Sequence, residues 1–168
     1  MDDNELFSEI QYFHQPWLWL LIGWMAALSL WAFVQQIVLG VPWGNNPGSD
    51  ELVIVLTVVL VLIVPLVFLS MHLRVVVRTD RLVVQFFPLH LRPRTIARDA
   101  IVAHRATAYR PLRDFGGWGI RYGSMGKAYI MSRDRGVLLE LRNGDRLLIG
   151  SRRAEELDAA IALMMSRP

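Results

Sequence analysis

The segment 110–127 holds the side chains best suited to chemistry. It carries Arg110, Arg113, Arg121 and Lys127, the aromatics Trp118 and Tyr122, and five of the chain's twelve glycines. Guanidinium groups meet phosphate and carboxylate through two parallel hydrogen bonds. Glycines admit positive φ and let backbone amides come close to an anion. One reading is therefore a loop that grips a phosphate, a lipid head group or an acidic peptide, with Arg110, Arg113, Trp118, Arg121, Tyr122 and Lys127 as the contact residues. The other is a structured connection between strands, with Phe115 or Trp118 buried and the glycines making sharp turns. The sequence leaves both open. A second basic group, Arg92, Arg94 and Arg98, is a candidate for contact with a membrane surface, where each cation near an anionic leaflet contributes about 1 kcal/mol.

Other chemistries find no residues. The chain has no cysteine, so disulfides, thiolate catalysis and thiolate-held metals are excluded. His14, His72, His90 and His104 stand at no metal-ligand spacing. Gly123-Ser-Met-Gly126-Lys127 lacks the spacing of a phosphate-binding P-loop, and Ala128 stands where its Ser or Thr belongs. No nucleophile elbow, paired carboxylates or zinc-protease helix appears. We expect no enzyme activity, metal or cofactor. The basic balance suits nucleic acid, but no recognition motif accompanies it.

The elements that hold these residues divide sharply by charge. All 18 Lys and Arg follow residue 73, whereas six of the 15 Asp and Glu precede it. Seventeen of the 18 are Arg, a bias that a GC-rich bacterial genome alone produces. The chain is 54% hydrophobic, and the excess sits in two uncharged runs, 17–39 and 52–73. As a helix the first spans about 34 Å, enough for a hydrocarbon core of about 30 Å. Trp17, Trp19 and Trp43 suit interfacial belts. The second is too long for a strand, and Pro65 is expected to kink it. A cleaved signal peptide fits the first run poorly, because its start is acidic and no small-residue cleavage site follows.

The turn-rich loop 40–51 has no positive charge, and Arg74, Arg78 and Arg81 follow the second run. The positive-inside bias puts that loop outside, with both termini in the cytoplasm of a cell whose inner membrane the hairpin crosses twice. The expected layout is a tail over 1–16, spans over 17–39 and 52–73, and a cytoplasmic domain over 74–168. Gln35, Gln36, Thr57, Ser70 and His72 are the hairpin's notable polar residues. None is ionisable at mid-membrane, where ion paths show themselves, so the hairpin reads as an anchor.

The domain 74–168 reads as mostly strand. Residues 75–78 and 82–87 form a hairpin about Thr79–Arg81. Further strands are expected over 91–97, where Pro88 and Pro93 restrict pairing to an edge, over 100–109 and over 127–131. Residues 137–142 and 145–149 flank Asn143-Gly144, which predicts a type I′ turn. A helix follows, with Ser151 as its N-cap and an apolar stripe of Leu157, Ala160, Ile161 and Met164.

Short strands capped by one amphipathic helix are the order of a pleckstrin-homology-like domain. The stretches Tyr109–Gly123, Gly126-Lys-Ala-Tyr129, Gly136–Leu141 and Leu148–Ser151, with Phe13-His-Gln-Pro-Trp17, resemble an uncharacterised bacterial membrane family with such a domain. The resemblance implies an α+β membrane protein: a two-helix hairpin, then a bent antiparallel sheet or partly open barrel capped by a C-terminal helix. It implies no activity. The function expected is a tethered interaction module that binds a protein partner, a second copy of itself, or anionic lipid. The alternative is an accessory subunit of a transport or envelope-stress complex that works through its hairpin.

Overall fold

The computed structural model describes residues 4–13, 15–131 and 134–166; His14 of the Phe13–Trp17 motif lies outside them. The chain is α+β, and it divides into two compact units. One contains the helices between residues 15 and 70. The other joins the N-terminal strand to everything described from Met71 onward.

In the first unit, α1 (Pro16–Val38) and α2 (Asp50–Ser70) are long and apolar enough to cross a membrane. Pro16 occupies the first turn of α1, where its missing N–H costs nothing. Ser49 caps α2 by accepting from the Leu52 N–H, and Gln36 Nε2 donates to Gly48 O and Asp50 Oδ1, both at 2.8 Å. Thr57 Oγ1 reaches the Ser29 carbonyl at 3.2 Å and so links the helices. The helix α2 continues through Pro65, widening to a π turn over Val59–Ile63. That turn lies beside the carbonyl which proline leaves without its usual N–H partner. Large apolar side chains such as Leu20, Trp24, Trp31, Leu66 and Leu69 are exposed around both helices.

Among the described residues, the second unit holds nine strands in two sheets. The first sheet runs in the order β1 (Glu5–Tyr12), β2 (His72–Arg78), β3 (Arg81–Phe87), β4 (Arg94–Ala97), all antiparallel. The second comprises β5 (Ile101–Ala108), β6 (Gly119–Gly123), β7 (Gly126–Ile130), β8 (Arg135–Leu141) and β9 (Arg146–Gly150), in the order β5-β8-β9-β7-β6. There β7 and β9 are parallel, so the wholly antiparallel sheet expected from the sequence is corrected. A short helix α3 (Pro111–Phe115) precedes β6, and α4 (Ala154–Ser166) ends the fold.

Burial explains the two kinds of strand. In the first sheet Leu73, Val75 and Val77 face Leu82, Val84 and Phe86 on the core side, while Arg74 and Arg81 stay in solvent. Residues 137–139 and 147–149 are instead apolar without interruption, because both faces of the second sheet are covered. One face, with Val137, Leu139 and Ile149, joins the main core, on which α4 lays Leu157, Ala160, Ile161 and Met164. The other, with Ile130, Leu138 and Leu148, meets Tyr109 and Phe115. Each fully buried Leu or Ile contributes about 1.5–3 kcal/mol. His104 Nδ1 lies 2.7 Å from Asp158 Oδ1 and so joins β5 to α4.

The N-terminal residues differ most from expectation. Residues 5–12, read as part of a tail, form the edge strand β1, paired with β2 from Glu5↔Arg78 to Tyr12↔His72. Their inward side chains are Phe7, Glu9 and Gln11, two of them polar, so the strand carries no ordinary apolar alternation. Each polar group is satisfied. Gln11 Nε2 donates to Gly150 O at 2.8 Å. Glu9 accepts from Ser151 Oγ at 2.5 Å and from the Arg152 N–H at 3.0 Å. The Arg153 guanidinium sits 4.6 Å from the Phe7 ring centre. Ser151, expected as the N-cap of α4, stands three residues ahead of it, accepting from the Arg153 N–H.

Two smaller corrections concern turns and ends. The β8–β9 connection is a three-residue loop with a bulge glycine, not a two-residue type I′ turn. The Gly144 N–H returns to Leu141 O and the Leu141 N–H to Asp145 O, each at 2.8 Å, with Gly144 at φ 84°. The helix expected over 52–73 ends at Ser70, and His72 and Leu73 already belong to β2.

A basic cleft as the candidate functional site

The segment 110–127 proves to be structure rather than an open loop. Pro111 opens α3, and Gly116, at φ 69°, closes it by donating to Leu112 O. Phe115 is buried edge-on against Tyr109, with ring centres 6.0 Å apart, and Trp118 packs beside them. Gly123 is needed because a Cβ there would stand 2.1 Å from the Asp114 carbonyl oxygen. The phenol of Tyr109 is buried, which, with the Asp134 carboxylate nearby, holds its pKa well above the usual tyrosine range.

This architecture divides the candidate binding residues in two. Arg121 and Tyr122 are neighbours on β6, so their side chains leave opposite faces. Arg121 Nε turns back to the Trp118 carbonyl at 2.8 Å, and Arg110 donates its backbone N–H to Asp114 Oδ2 at 2.7 Å. Arg110, Arg113, Trp118 and Arg121 thus gather about α3. Tyr122 and Lys127, which are register partners, line a cleft on the other side.

That cleft has a volume of about 760 Å³, within the range of ligand sites. It lies between the free edge of the first sheet at β4 and the second sheet at β6, β7 and β9. Arg94 enters from β4, Tyr122 and Lys127 from the β6–β7 hairpin, and Asp145 and Arg146 from the start of β9. Tyr129 forms part of the wall. The Lys127 ammonium stands 5.6 Å from the Tyr122 ring centre and 5.4 Å from that of Tyr129, a cation–π arrangement that fixes its position.

The field of the cleft is positive. Arg146 Nε lies 3.4 Å from Glu140, and Asp145 is engaged by Asn143 at 2.7 Å. Neither Arg94 nor Lys127 has a carboxylate partner among the described residues. Behind the cleft, His90 sets its ring edge-on to Tyr129 at 5.5 Å. Desolvation, then the charges of Arg94 and Lys127, hold the His90 pKa below the ordinary histidine value. Gly126 lets the walls meet, since a Cβ there would stand 2.4 Å from Arg146 O.

Arg92, Arg94 and Arg98, grouped in sequence, are spread along the first sheet. Arg94 pairs with Val84 in the middle of β3, whereas the Arg98 N–H bonds Asp80 O at the turn between β2 and β3. Arg98 is therefore separated from the other two. Arg146, His90 and Tyr129 escaped the sequence reading of the site. The parallel register Lys127↔Leu147 brings Arg146 beside Lys127, and no local signal announces a parallel pair.

The described residues together define an α+β chain with two sheets, two apolar helices and a basic cleft. It belongs to the family of unknown function DUF6141, whose model matches residues 2–167. No curated protein matches the chain.

Proposed function

We propose that the protein is a membrane-anchored interaction module, PH-like in its domain, whose basic cleft receives an acidic segment of a protein partner at the cytoplasmic face of the inner membrane. The observation that carries this is the convergence of Arg94, Lys127 and Arg146 on one walled cleft in which Arg94 and Lys127 have no carboxylate partner among the described residues. Uncompensated cations between aromatic walls select a carboxylate- or phosphate-bearing ligand. A protein fixed in the membrane gains nothing from lipid as a recruitment signal, which favours a protein ligand over lipid sensing.

Three features support the anchor. Both helices are uncharged between their ends and expose large apolar side chains on all sides, which suits lipid and not water. The pairing of β1 with β2 requires the residues before α1 and after α2 to share one side of a membrane, as an even number of spans does. The absence of Lys and Arg from residues 1–73 and their abundance afterwards support an inward-facing domain. Two sheets closed by a C-terminal helix with a buried stripe support the PH-like reading.

A photo-crosslinker placed at Tyr122 in native membranes tests the cleft. A specific partner should be captured by the otherwise unchanged protein and lost when Arg94, Lys127 and Arg146 are all changed to Gln. The same partner should survive Gln at Arg110, Arg113 and Arg121. The reverse pattern would move the binding surface to α3 and refute the cleft.

A further inference from the structure

We infer that the turn after β3 is a second membrane contact, in which Leu89 and Leu91 enter the lipid interface while Arg92 meets anionic head groups. This rests on the reading that α1 and α2 cross the membrane.

The turn is built to hold two leucines outward. The His90 N–H bonds the Phe86 carbonyl at 2.7 Å, and Gln85 Nε2 donates to the carbonyls of His90 and Leu91 at 3.2 and 3.3 Å. His90 turns in against Tyr129. Leu89 and Leu91, its neighbours on either side, are 62% and 76% exposed. Apolar side chains held in water by a hydrogen-bonded turn, and followed at once by Arg92, have the pattern of an interfacial anchor: hydrocarbon ahead, a cation at phosphate level.

Chain connectivity decides which end of the sheet this is. A single residue, Met71, separates Ser70 at the end of α2 from His72 at the start of β2. His72 is the register partner of both Tyr12 and Phe87, and the turn begins at the next residue, Pro88. The ring of His72 stacks on Phe87 at 5.3 Å and meets Tyr12 at 5.8 Å. An aromatic row thus crosses the end of the sheet to which the apolar helix is joined, as interfacial aromatics do. At the opposite end, six residues along β2 and about 20 Å away, Asp80 occupies the β2–β3 turn. The lipid occupant follows from the covalent link to an apolar helix and from the sign of the charge on Arg92. A protein partner on the same turn would need neither.

The absence of cysteine makes the test direct. Leu89→Cys, Leu91→Cys, Asp80→Cys and Leu56→Cys are made singly in the full chain, labelled with an environment-sensitive fluorophore, and reconstituted. The vesicles contain phosphatidylglycerol, phosphatidylethanolamine and a nitroxide-bearing lipid. Quenching should be several-fold stronger at positions 89 and 91 than at 80, and should fall at 91 when Arg92→Gln is added. If 89 and 91 match 80 while Leu56→Cys is strongly quenched, the hairpin spans but the turn does not touch lipid, and this inference is overturned. If Leu56→Cys is also unquenched, the spanning reading fails and takes the inference with it.

Discussion

Replacing Glu9 by Ala should destabilise the domain, although Glu9 lies before both apolar helices and its partners lie after them. The side chain is 8% exposed and accepts from Ser151 Oγ and the Arg152 N–H. Hydrogen bonds to a charged acceptor contribute about 1.5–3 kcal/mol each, and a buried donor left unpaired costs about 1–3 kcal/mol. The Arg152 N–H is only partly buried and recovers some of its loss from water, so the two together amount to about 2–4 kcal/mol. Amide exchange in β9, followed in the full chain in lipid nanodiscs, should then accelerate from about 30-fold to several-hundred-fold. Glu5→Ala, at an exposed position of the same strand, should change stability by less than about 0.5 kcal/mol. Glu9→Gln keeps one acceptor oxygen and should fall between. If Glu9→Ala exchanges like Glu5→Ala, residues 5–12 do not belong to the sheet, and the argument from β1 to an even number of spans collapses.

Three further outcomes follow from the same geometry. Because the His90 pKa is lowered in the fold, the unfolded chain binds its proton first as pH falls. Stability should therefore drop below about pH 6.5, and Lys127→Gln should raise the His90 titration point, read from its imidazole NMR signals. Gly126→Ala should cost about 2–4 kcal/mol in thermal unfolding, since it combines φ 95° with a clash against Arg146 O. Gly144→Ala has the same strain but open space around it, and should cost about half as much or less. Tyr109→Phe should stabilise the domain by about 1 kcal/mol, because the buried Tyr109 hydroxyl has no hydrogen-bond partner among the described residues; a clear loss of stability would show that the hydroxyl is satisfied.

What the sequence made legible was whatever is written in local pattern. The two uncharged runs gave both long helices, the β2–β3 hairpin lies where Val/Leu-rich runs flank Thr79–Arg81, and the stripe Leu157, Ala160, Ile161, Met164 is buried on α4 as its period requires. The failures were of three kinds. Strand β1 was hidden because its inward residues Glu9 and Gln11 are polar, and only partners about 140 positions away make them inward residues. Strand β6 was hidden because Gly119, Gly123 and two exposed side chains give a strand no apolar face. The cleft was hidden because a parallel pairing assembles it. A third of the proposed contact set, Tyr122 and Lys127, lies in that cleft, but the glycine-rich composition that drew attention to 110–127 reflects close backbone packing at Gly123 and Gly126.

The insertion of the helices between Tyr12 and His72, two residues paired in one sheet, also bears on how the protein is made. During synthesis β1 appears first, yet its neighbour β2 emerges only after both helices have been made. Glu9 and Gln11 wait longer still, for Gly150, Ser151 and Arg152, so the first sheet cannot close early. On the proposed double crossing, failure of one helix to insert would leave β1 across the membrane from β2, and the core would lack Phe7 and the polar contacts that follow it. Completion of the sheet would then report on the hairpin, because a chain with one helix left uninserted exposes an unpaired β2 edge.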